Sequence, residues 1–306
     1  MDVGHLTARG VPHGTPERTR VISDFVMWLF AVDDYCDETG LSHAPYEYAA
    51  FAAQVLRVLE APEVDAFDAN PYVASVRELR RRLEATGATG TQILRWSYGL
   101  RMFLFGQVRE TLARGRSVRP DLVDFMTTRL ETAGTFPVFA LNDYARGTEV
   151  DGKNFNRPAV RAVCEMGIAV IGLDDDIVSL HKEMHRSPDD PNLVSLLARI
   201  DEAPLEQALA GAMDMRDRIM SRFDTLSTRI LDTADEALTA YVSGMRTWVR
   251  SWLDWSYDVD RYVNPDCPAA LTGGCRSDAP PQAGRALDNP AVSWWWNDLP
   301  DIPTKT

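Results

Sequence analysis

The chain has 306 residues, of which 45% are hydrophobic and 25% charged, and its formal net charge is −13. It is long enough to bury a sizeable core in one large or two ordinary domains, and its composition is that of a soluble globular protein. The acidic charge argues against a nucleic-acid partner, and the lack of a long apolar run or a signal pattern argues against stable membrane insertion and for a cytoplasmic location.

The first predicted helix follows an irregular N-terminus at residues 1–14. Thr15 is a favourable N-cap with a proline and an acidic residue after it, and Gly40 is a natural stop. The segment between them is apolar nearly all round, which predicts a helix central to a bundle. Its last turn carries Asp33 and Asp37 on one face, where carboxylates oppose the helix dipole and a bound cation would relieve that opposition.

Nine further helical patterns follow, separated by glycine and proline turns. They are predicted at about 44–60, 71–86, 90–114, 120–133, 136–146, 157–185, 191–200, 204–232 and 235–260. No segment alternates with a period of two, and none is a glycine-rich phosphate loop. We therefore predict an all-α fold, a single-domain helical bundle over residues 15–263.

Residues 264–306 are predicted to form a loosely structured tail, because Pro, Gly, Ala, Ser and Asp dominate there. Three adjacent tryptophans at 294–296 rarely stay in water, so we expect them to dock on the bundle or on another subunit. Cys36 and Cys164 fit helical core positions. Cys267 and Cys275 could bridge if oxidised, but a reduced thiol pair is the preferred interpretation.

A second acidic motif lies in the helix predicted at 157–185. Asp175, Ser179 and Glu183 are four residues apart each time, so a helix aligns them in one row. Two carboxylates and a hydroxyl offer hard oxygen ligands to a divalent cation, and Mg²⁺ is the natural candidate. The alternative for this row alone is a solvated acidic helix face.

The two acidic motifs together carry more information than either alone. Roughly 140 residues of helical array separate them, so they could face each other across a bundle interior. Carboxylate clusters brought together there would repel each other and be poorly solvated without cations. The arrangement predicts a metal site, and a metal with open positions predicts a phosphorylated ligand.

Four segments in order resemble the class I terpene synthases, and the bacterial terpene cyclases in particular. Asp33-Asp34-x-x-Asp37 is similar to the family's aspartate-rich motif, and Asp175-x3-Ser179-x3-Glu183 to its second metal motif, with Asp at a position where Asn is commoner. Residues 129–134 are similar to its diphosphate-sensing segment, and residues 248–262 to its segment ending in Arg-Tyr. The resemblance spans roughly residues 20–262.

The same resemblance shows two departures. The family usually has more chain before the first motif, so we expect that the helices preceding it are missing here or that the start is truncated. Trp252 also stands where an asparagine is common. The fold that the resemblance implies is a helical bundle of the class I terpenoid synthase type, with the active site in the bundle interior.

The resemblance implies a role for each motif residue. Three Mg²⁺ ions are expected, two bound by Asp33 and Asp37 and the third by the row in the second motif, Asp175, Ser179 and Glu183. The residues expected to bind diphosphate are Arg129, Lys182, Arg261 and Tyr262, whose guanidinium, ammonium and hydroxyl groups suit phosphate oxygens. Asp34 belongs to the catalytic set, but its direction favours pairing with a basic residue over a metal. Asp174, Asp176 and Glu38 are interpreted as solvated charges.

The expected reaction is ionisation of an acyclic prenyl diphosphate followed by cyclisation of the carbocation to a terpene hydrocarbon or alcohol. The carbocation requires a closed, apolar pocket, where aromatic faces stabilise it. The candidate wall residues are Phe25, Trp28, Phe103, Phe136, Phe139, Trp248 and Trp255, although ordinary core packing is the better interpretation for any single one. Farnesyl diphosphate is the first candidate substrate and geranylgeranyl diphosphate the second, and a homodimer is possible.

Two other functions remain open at this point. A chain-elongating prenyltransferase would share the fold and the ionisation step, but that group has two aspartate-rich motifs, whereas the second motif here is Asp/Ser/Glu. A non-catalytic acidic metal-binding scaffold would leave Arg129, Arg261 and Tyr262 unexplained. We therefore favour a lyase, a terpene cyclase of isoprenoid biosynthesis.

Overall fold

The computed structural model describes residues 2–116, 118–186, 191–262 and 284–299. These residues form thirteen α-helices and no strand, which confirms the predicted all-α fold. The helices are α1 (Val3–Gly10), α2 (Pro16–Glu38), α3 (Pro45–Glu60), α4 (Pro71–Ala85), α5 (Gly90–Gly115), α6 (Leu122–Thr132), α7 (Thr135–Phe139), α8 (Asn142–Arg146), α9 (Gly152–Phe155), α10 (Pro158–Arg186), α11 (Leu193–Ile200), α12 (Leu205–Leu231) and α13 (Glu236–Asp258). Short 3₁₀ turns span Leu41–His43, Asp260–Tyr262 and Ser293–Trp296.

Local capping explains why the long helices begin where the sequence predicts. The Thr15 hydroxyl accepts a hydrogen bond from the Arg18 N–H at the start of α2. Thr89 and Gln92 form a complete capping box at the start of α5, each side chain accepting from the backbone of the other. Asp235 caps α13 in the same way as Thr15 caps α2. Because these signals are local, they are visible in the sequence.

The expected irregular N-terminus is wrong, since Val3–Gly10 form α1. The Asp2 carboxylate caps this helix by accepting from the His5 N–H, and Val3 and Leu6 are buried. Only eight residues long, α1 lies against α13 and α2 and gains its stability from those contacts. The helix predicted at 136–146 is likewise two short helices, α7 and α8.

The long helices pack around an internal cavity. α10 contacts α12, α13 and α6, while α2 contacts α1 and α4, and α5 contacts α3, α6 and α7. Side chains from α1, α2, α5, α6, α10 and α13 all reach the cavity, whose volume is about 250 Å³. The acidic ends of α2 and α10 therefore meet at one space inside the bundle.

Part of the C-terminal segment is packed on the bundle rather than loose. Trp295 is fully buried, and its indole N–H donates to the Glu165 carboxylate on α10 at 2.8 Å. Arg222 on α12 donates to the Trp295 carbonyl at 3.0 Å. Of the two docking alternatives for the tryptophans, the bundle is therefore the one observed. Residues 263–283, with Cys267 and Cys275, lie outside the described residues.

The two cysteines in the helical core, and the absence of a spanning helix from the described residues, agree with the sequence patterns. Cys36 and Cys164 are buried free thiols, as the helical pattern indicated. No helix in the described part of the chain combines the length and apolarity needed to cross a membrane.

The contact between α5 and α7 depends on the absence of a side chain at Gly99. A Cβ atom there would lie 2.7 Å from Phe136 Cδ1 and 2.9 Å from Pro137 Cα. We expect Gly99→Ala to lower the free energy of unfolding by about 1–3 kcal/mol, because the two helices must separate. Urea unfolding followed by circular dichroism measures the change.

Gly90→Ala in the same helix is the matched control, because a Cβ there meets no atom within 4 Å. We expect it to leave stability unchanged or to raise it by less than about 1 kcal/mol. Equal losses for the two variants would contradict the packing explanation.

Candidate active site

The first acidic motif forms the last turns of α2. The carboxylates of Asp33 and Asp37 line the cavity. Asp34 points elsewhere and accepts from Arg261, whose Nη1 lies 2.9 and 3.0 Å from its two oxygens. Arg261 Nη2 is also 3.3 Å from Asp33 Oδ2, and its guanidinium lies over the Phe30 ring. Asp34 thus pairs with a basic residue, as its direction on the helix suggested.

The second motif lies on α10, and Asp175, Ser179 and Glu183 all line the cavity. The Ser179 hydroxyl donates to Glu183 Oε1 at 2.6 Å. Asn192, just before α11, donates from Nδ2 to Glu183 Oε2 at 2.8 Å and to the Asp176 carbonyl at 2.7 Å. Glu183 is therefore held through both oxygens, and the second of these contacts was not expected from the motif.

Asp175 joins three parts of the molecule. Arg129 on α6 donates from Nη2 to Asp175 Oδ2 at 2.9 Å and to the Gly172 carbonyl at 2.9 Å. The Tyr262 hydroxyl donates to Asp175 Oδ1 at 2.9 Å. The predicted diphosphate-binding residues Arg129 and Tyr262 therefore meet at a predicted metal ligand. Lys182 lines the same cavity.

The interpretation of Asp174 and Asp176 as solvated charges is wrong, since both are buried. Asp174 accepts two hydrogen bonds from Arg216 on α12, at 2.7 and 3.0 Å. Asp176 lies 2.8 Å from Arg129 Nη2 and accepts from the Leu193 N–H at 3.2 Å. The physical reason is that α12, α6 and α11 pack against α10 at this level and enclose the sides of the helix that bear Asp174 and Asp176. Glu38 is exposed, as expected.

The predicted aromatic wall is only partly correct. Phe103 and Trp248 line the cavity. The other candidates lie in the core outside the cavity lining, and these are Phe25, Trp28, Phe136, Phe139 and Trp255. Phe25 packs edge-on against Trp96, and the Trp28 indole donates to the Tyr72 carbonyl. Phe136 contacts Tyr98, and the Trp255 indole donates to the Asp2 carbonyl.

The apolar lining instead comes from neighbouring positions on the same helices. The side chains that sequence reasoning missed include Leu6, Val26, Leu29, Phe30, Val138, Ile171 and Trp252. On α2 a signal was available, because Leu29 and Val26 lie four and seven residues before Asp33 and therefore share its face. Following the face of Asp33 towards the start of α2 would therefore have identified Leu29 and Val26 as lining residues.

Three polar residues on α5 also line the cavity and were not predicted. Gln107, Glu110 and Arg114 follow Phe103 at helical spacing, so one face of α5 changes from apolar to polar along its length. Arg114 lies 3.5 Å from Glu110 Oε2 and 3.4 Å from the Ser42 carbonyl, which follows α2. This pair connects α5 with the chain that leaves the first acidic motif.

Charge at the site is unbalanced on the α2 side. Burial among protein atoms, followed by the charge of Asp37, raises the pKa of Asp33 to about 7, and Arg261 only partly opposes this. Solvent still reaches 51% of the Asp33 side chain, which lines the cavity, so the carboxylate is enclosed but wet. Burial and Asp175 likewise raise the pKa of Glu183.

The pKa values of the two donors Arg129 and Tyr262 are also raised, which keeps both groups protonated. Burial disfavours the charged guanidinium of Arg129, but Asp176 and Asp175 outweigh this and raise its pKa. Burial raises the pKa of the Tyr262 hydroxyl well above its ordinary value, so it remains a proton donor in hydrogen bonds. The site therefore presents permanent donors beside carboxylates that lack sufficient positive charge.

These residues fit a divalent cation that keeps other ligands. Within the described residues, no three His, Cys, Asp or Glu side chains are close enough to hold a metal ion unaided. Mg²⁺ uses one or two carboxylates and completes its shell with waters and phosphate oxygens, so it does not need such a cage. The raised pKa of Asp33 and the hard oxygens facing it from α10 suit that cation.

The chain is similar to known proteins over nearly its full length. The family described as terpene synthase family 2, C-terminal metal binding, matches residues 24–222. (+)-(1(10)E,4E,6S,7R)-Germacradien-6-ol synthase of Streptomyces pratensis is 35% identical over 98% of this chain and 85% of its own length. (+)-T-Muurolol synthase of Streptomyces clavuligerus, which cyclises (2E,6E)-farnesyl diphosphate, is 30% identical over 99% of this chain and 73% of its own.

A solved structure agrees with these sequence relationships. The crystal structure of the SVS_A2 protein, from ancestral sequence reconstruction, superimposes with a TM-score of 0.82 at 33% identity. The match covers 94% of this chain and 83% of that protein.

Removal of the Asp33 charge should stabilise the metal-free protein. Because the folded state binds more protons than the unfolded chain between the ordinary Asp pKa and about 7, the free energy of unfolding falls as pH rises through that range. We expect Asp33→Asn in chelator to raise stability at pH 8 by roughly 1 kcal/mol, a value discounted for the wet cavity, and by less at pH 5.

Urea unfolding at the two pH values measures this change. Glu38→Gln is the control, since Glu38 ends the same helix but does not line the cavity. The explanation would be contradicted if Asp33→Asn lost stability at pH 8, or if Glu38→Gln gained as much. Either result would show that the charge of Asp33 does not destabilise the fold at the cavity.

Proposed function

The chain belongs to the terpene synthase family and is a terpene cyclase, and we propose that its substrate is farnesyl diphosphate and that it uses three Mg²⁺ ions. The observation that carries this proposal is the composition of one cavity. Carboxylates of α2 and α10 meet at it beside Arg129 and Arg261, and apolar side chains such as Leu29, Phe103 and Trp248 line it as well. Such a site suits a ligand with a charged head and a hydrocarbon chain.

Cavity size and one relative support the farnesyl chain. The volume of about 250 Å³ is near the lower end of the range for small-molecule sites, which is about 300–1,000 Å³. A shorter prenyl chain fits such a space better than a longer one. T-Muurolol synthase, which shares 30% identity, is described as cyclising (2E,6E)-farnesyl diphosphate. Geranylgeranyl diphosphate is the second candidate.

The ligands proposed for Mg²⁺ are the cavity-facing oxygens of Asp33, Asp37, Asp175, Ser179 and Glu183. When bound, the metal supplies Lewis-acid stabilisation to the departing diphosphate. Hydrogen bonds from Ser179 and Asn192 orient Glu183 before any ligand arrives. This preorganisation lowers the cost of bringing the ligand set together.

Arg129, Lys182, Arg261 and Tyr262 are proposed to bind the diphosphate. Arg129 uses Nε and Nη2 for its polar contacts, and among the described residues Nη1 forms no hydrogen bond or ion pair. That nitrogen can donate to a phosphate oxygen without breaking the contact with Asp175. Asp34 holds Arg261 in a similar way, through two hydrogen bonds from its Nη1.

The apolar part of the cavity would protect the carbocation. Phe30, Phe103, Trp248 and Trp252 line it and present aromatic surface. A cation over such a ring gains up to about 2 kcal/mol when water is excluded. We assign no protein base, because no histidine lines the cavity within the described residues, and the departing diphosphate can accept the proton.

Purified protein should convert farnesyl diphosphate into cyclic hydrocarbons or alcohols in the presence of Mg²⁺. We expect chelator to abolish turnover and Glu183→Gln to reduce kcat/KM by about 100-fold or more, because an oriented charged group is lost from the site. Gas chromatography of extracts after incubation with geranyl, farnesyl and geranylgeranyl diphosphate measures both.

Glu206→Gln, an exposed change on α12, is the control and should keep parental activity. Longer prenyl diphosphates on addition of isopentenyl diphosphate would instead indicate chain elongation. No turnover of any substrate, together with no Mg²⁺-dependent binding of diphosphate, would favour the non-catalytic scaffold.

We also propose that the protein is a homodimer located in the cytoplasm. Leu94, Tyr98 and Phe105 are 70%, 55% and 54% exposed and share one face of α5, an apolar surface of the kind that contacts a partner.

Light scattering should give twice the chain mass of 34.2 kDa, and Leu94→Lys should lower the measured mass towards that of the monomer. Tyr46→Lys, at a position on α3 that is 82% exposed, should leave the measured mass unchanged. A monomeric parent would rule out the dimer.

A further inference from the structure

The N-terminal helix α1 is fastened to α13 by three side chains. Three side chains on α13, each four residues from the next, donate hydrogen bonds to the N-terminal segment, and these are Thr247, Ser251 and Trp255. Their acceptors are backbone carbonyls that are also four residues apart but run in the opposite chain direction. The Thr247 hydroxyl lies 2.7 Å from the Gly10 carbonyl oxygen, the Ser251 hydroxyl 2.8 Å from that of Leu6, and the Trp255 indole nitrogen 2.8 Å from that of Asp2. The two helices are therefore antiparallel and fixed in register.

Close packing adds to these hydrogen bonds. A Cβ atom at Gly10 would lie 2.5 Å from Trp248 Cδ2, so the α1 backbone rests directly on that ring. The Trp248 indole is held on its other side, where it donates to Asn142 Oδ1 at 2.9 Å. α1 can therefore neither slide along α13 nor approach it more closely.

Leu6 occupies the middle of this fastened helix and lines the cavity. Its side chain is only 2% exposed, and its carbonyl accepts the central hydrogen bond, from Ser251. Trp248 and Trp252, on either side of Ser251 in α13, line the cavity as well. Leu6 is thus an apolar wall residue contributed by a segment outside every sequence motif.

We propose that Leu6 is a specificity-determining residue, whose side-chain volume limits the prenyl chain that the cavity accepts and the products it forms. This inference rests on the proposed function, since it concerns the hydrocarbon part of the same site. The register of α1 is fixed, so a change in volume at Leu6 alters the cavity instead of moving the helix. A leucine also adds no polar atom that could react with a carbocation.

Val3 on the same helix provides the comparison that isolates this effect. It is as buried as Leu6, at 1% exposure, but is not part of the cavity lining. A truncation at Val3 removes apolar contact from α1 without enlarging the cavity. A loss of stability shared by Leu6→Ala and Val3→Ala therefore reports on the packing of α1. A difference between the two variants in substrate preference or product pattern reports on the cavity.

The test measures kcat/KM for farnesyl and geranylgeranyl diphosphate in the parent, Leu6→Ala, Leu6→Phe and Val3→Ala, with product ratios from gas chromatography. We expect Leu6→Ala to shift the ratio of the two kcat/KM values by about tenfold towards geranylgeranyl diphosphate, and Leu6→Phe to shift it the other way. Val3→Ala should keep the ratio within about twofold and the product pattern unchanged.

A binding measurement separates this proposal from the proposed function. Calorimetry with the unreactive farnesyl thiodiphosphate and with inorganic diphosphate, both with Mg²⁺, needs no turnover. Leu6→Phe should weaken the farnesyl analogue by about tenfold, because overpacking opposes the chain, and leave inorganic diphosphate within about twofold.

The outcomes distinguish the two proposals. If the parent binds both ligands but turns over no substrate, the proposed reaction fails while Leu6 is still judged by binding. If Leu6 variants keep the parental kcat/KM ratio and analogue affinity, or if Val3→Ala changes them equally, Leu6 does not determine specificity. Weakening of both ligands by Leu6→Phe would also overturn the proposal, since the effect would then not be confined to the chain.

Discussion

Repulsion between carboxylates that face one cavity from two helices is the constraint on which the site depends. Asp33 and Asp37 approach from α2, and Asp175 and Glu183 from α10. The protein does not neutralise this charge, because Arg261 only partly offsets the rise in the pKa of Asp33. The bundle holds this charge in place, and the remaining negative imbalance favours the binding of cations, whose positive charge would in turn attract diphosphate. Stability and ligand affinity therefore oppose each other at these positions.

Consecutive aspartates solve this problem through helix geometry. Neighbouring residues on a helix point about 100° apart, so an acidic run sends its carboxylates to different surroundings. In α10, Asp174 meets Arg216, whereas Asp175 and Asp176 both line the cavity and share Arg129. Asp176 also accepts from the Leu193 N–H. The buried ion pairs on either side fasten α12, α6 and α11 around the ligand-bearing turn. Truncation of one member would leave an unpaired buried charge, which is far more costly than loss of a surface pair. The acidic run thus supplies both the ligand and its support.

The sequence predicted those features whose cause is local. The start of α2 followed from the Thr15 cap, and the row Asp175, Ser179 and Glu183 followed from spacing alone. Features decided by distant partners were missed. Asp174 was taken as solvated because Arg216 lies 42 residues away, and no local pattern connects them. The aromatic wall on α2 was assigned to Phe25 and Trp28 because that helix is apolar on every side, so periodicity does not identify the cavity face. On α2, the cavity face is identified only by the side of the helix on which Asp33 lies.

Ionisation of the diphosphate and folding of the hydrocarbon chain involve residues that are placed in different ways, by local sequence in the first case and by distant contacts in the second. The carboxylates and donors proposed to promote ionisation lie in short motifs, each placed by the helix or turn that bears it. The shape of the hydrocarbon space depends on contacts such as Ser251 with Leu6, 245 residues apart, and on a helix of eight residues that is too short to persist alone. Proteins that share the motifs can therefore ionise the same head group and still fold the chain differently. The acidic residues that identify the family therefore do not define the hydrocarbon space, to which α1, held against α13, contributes Leu6.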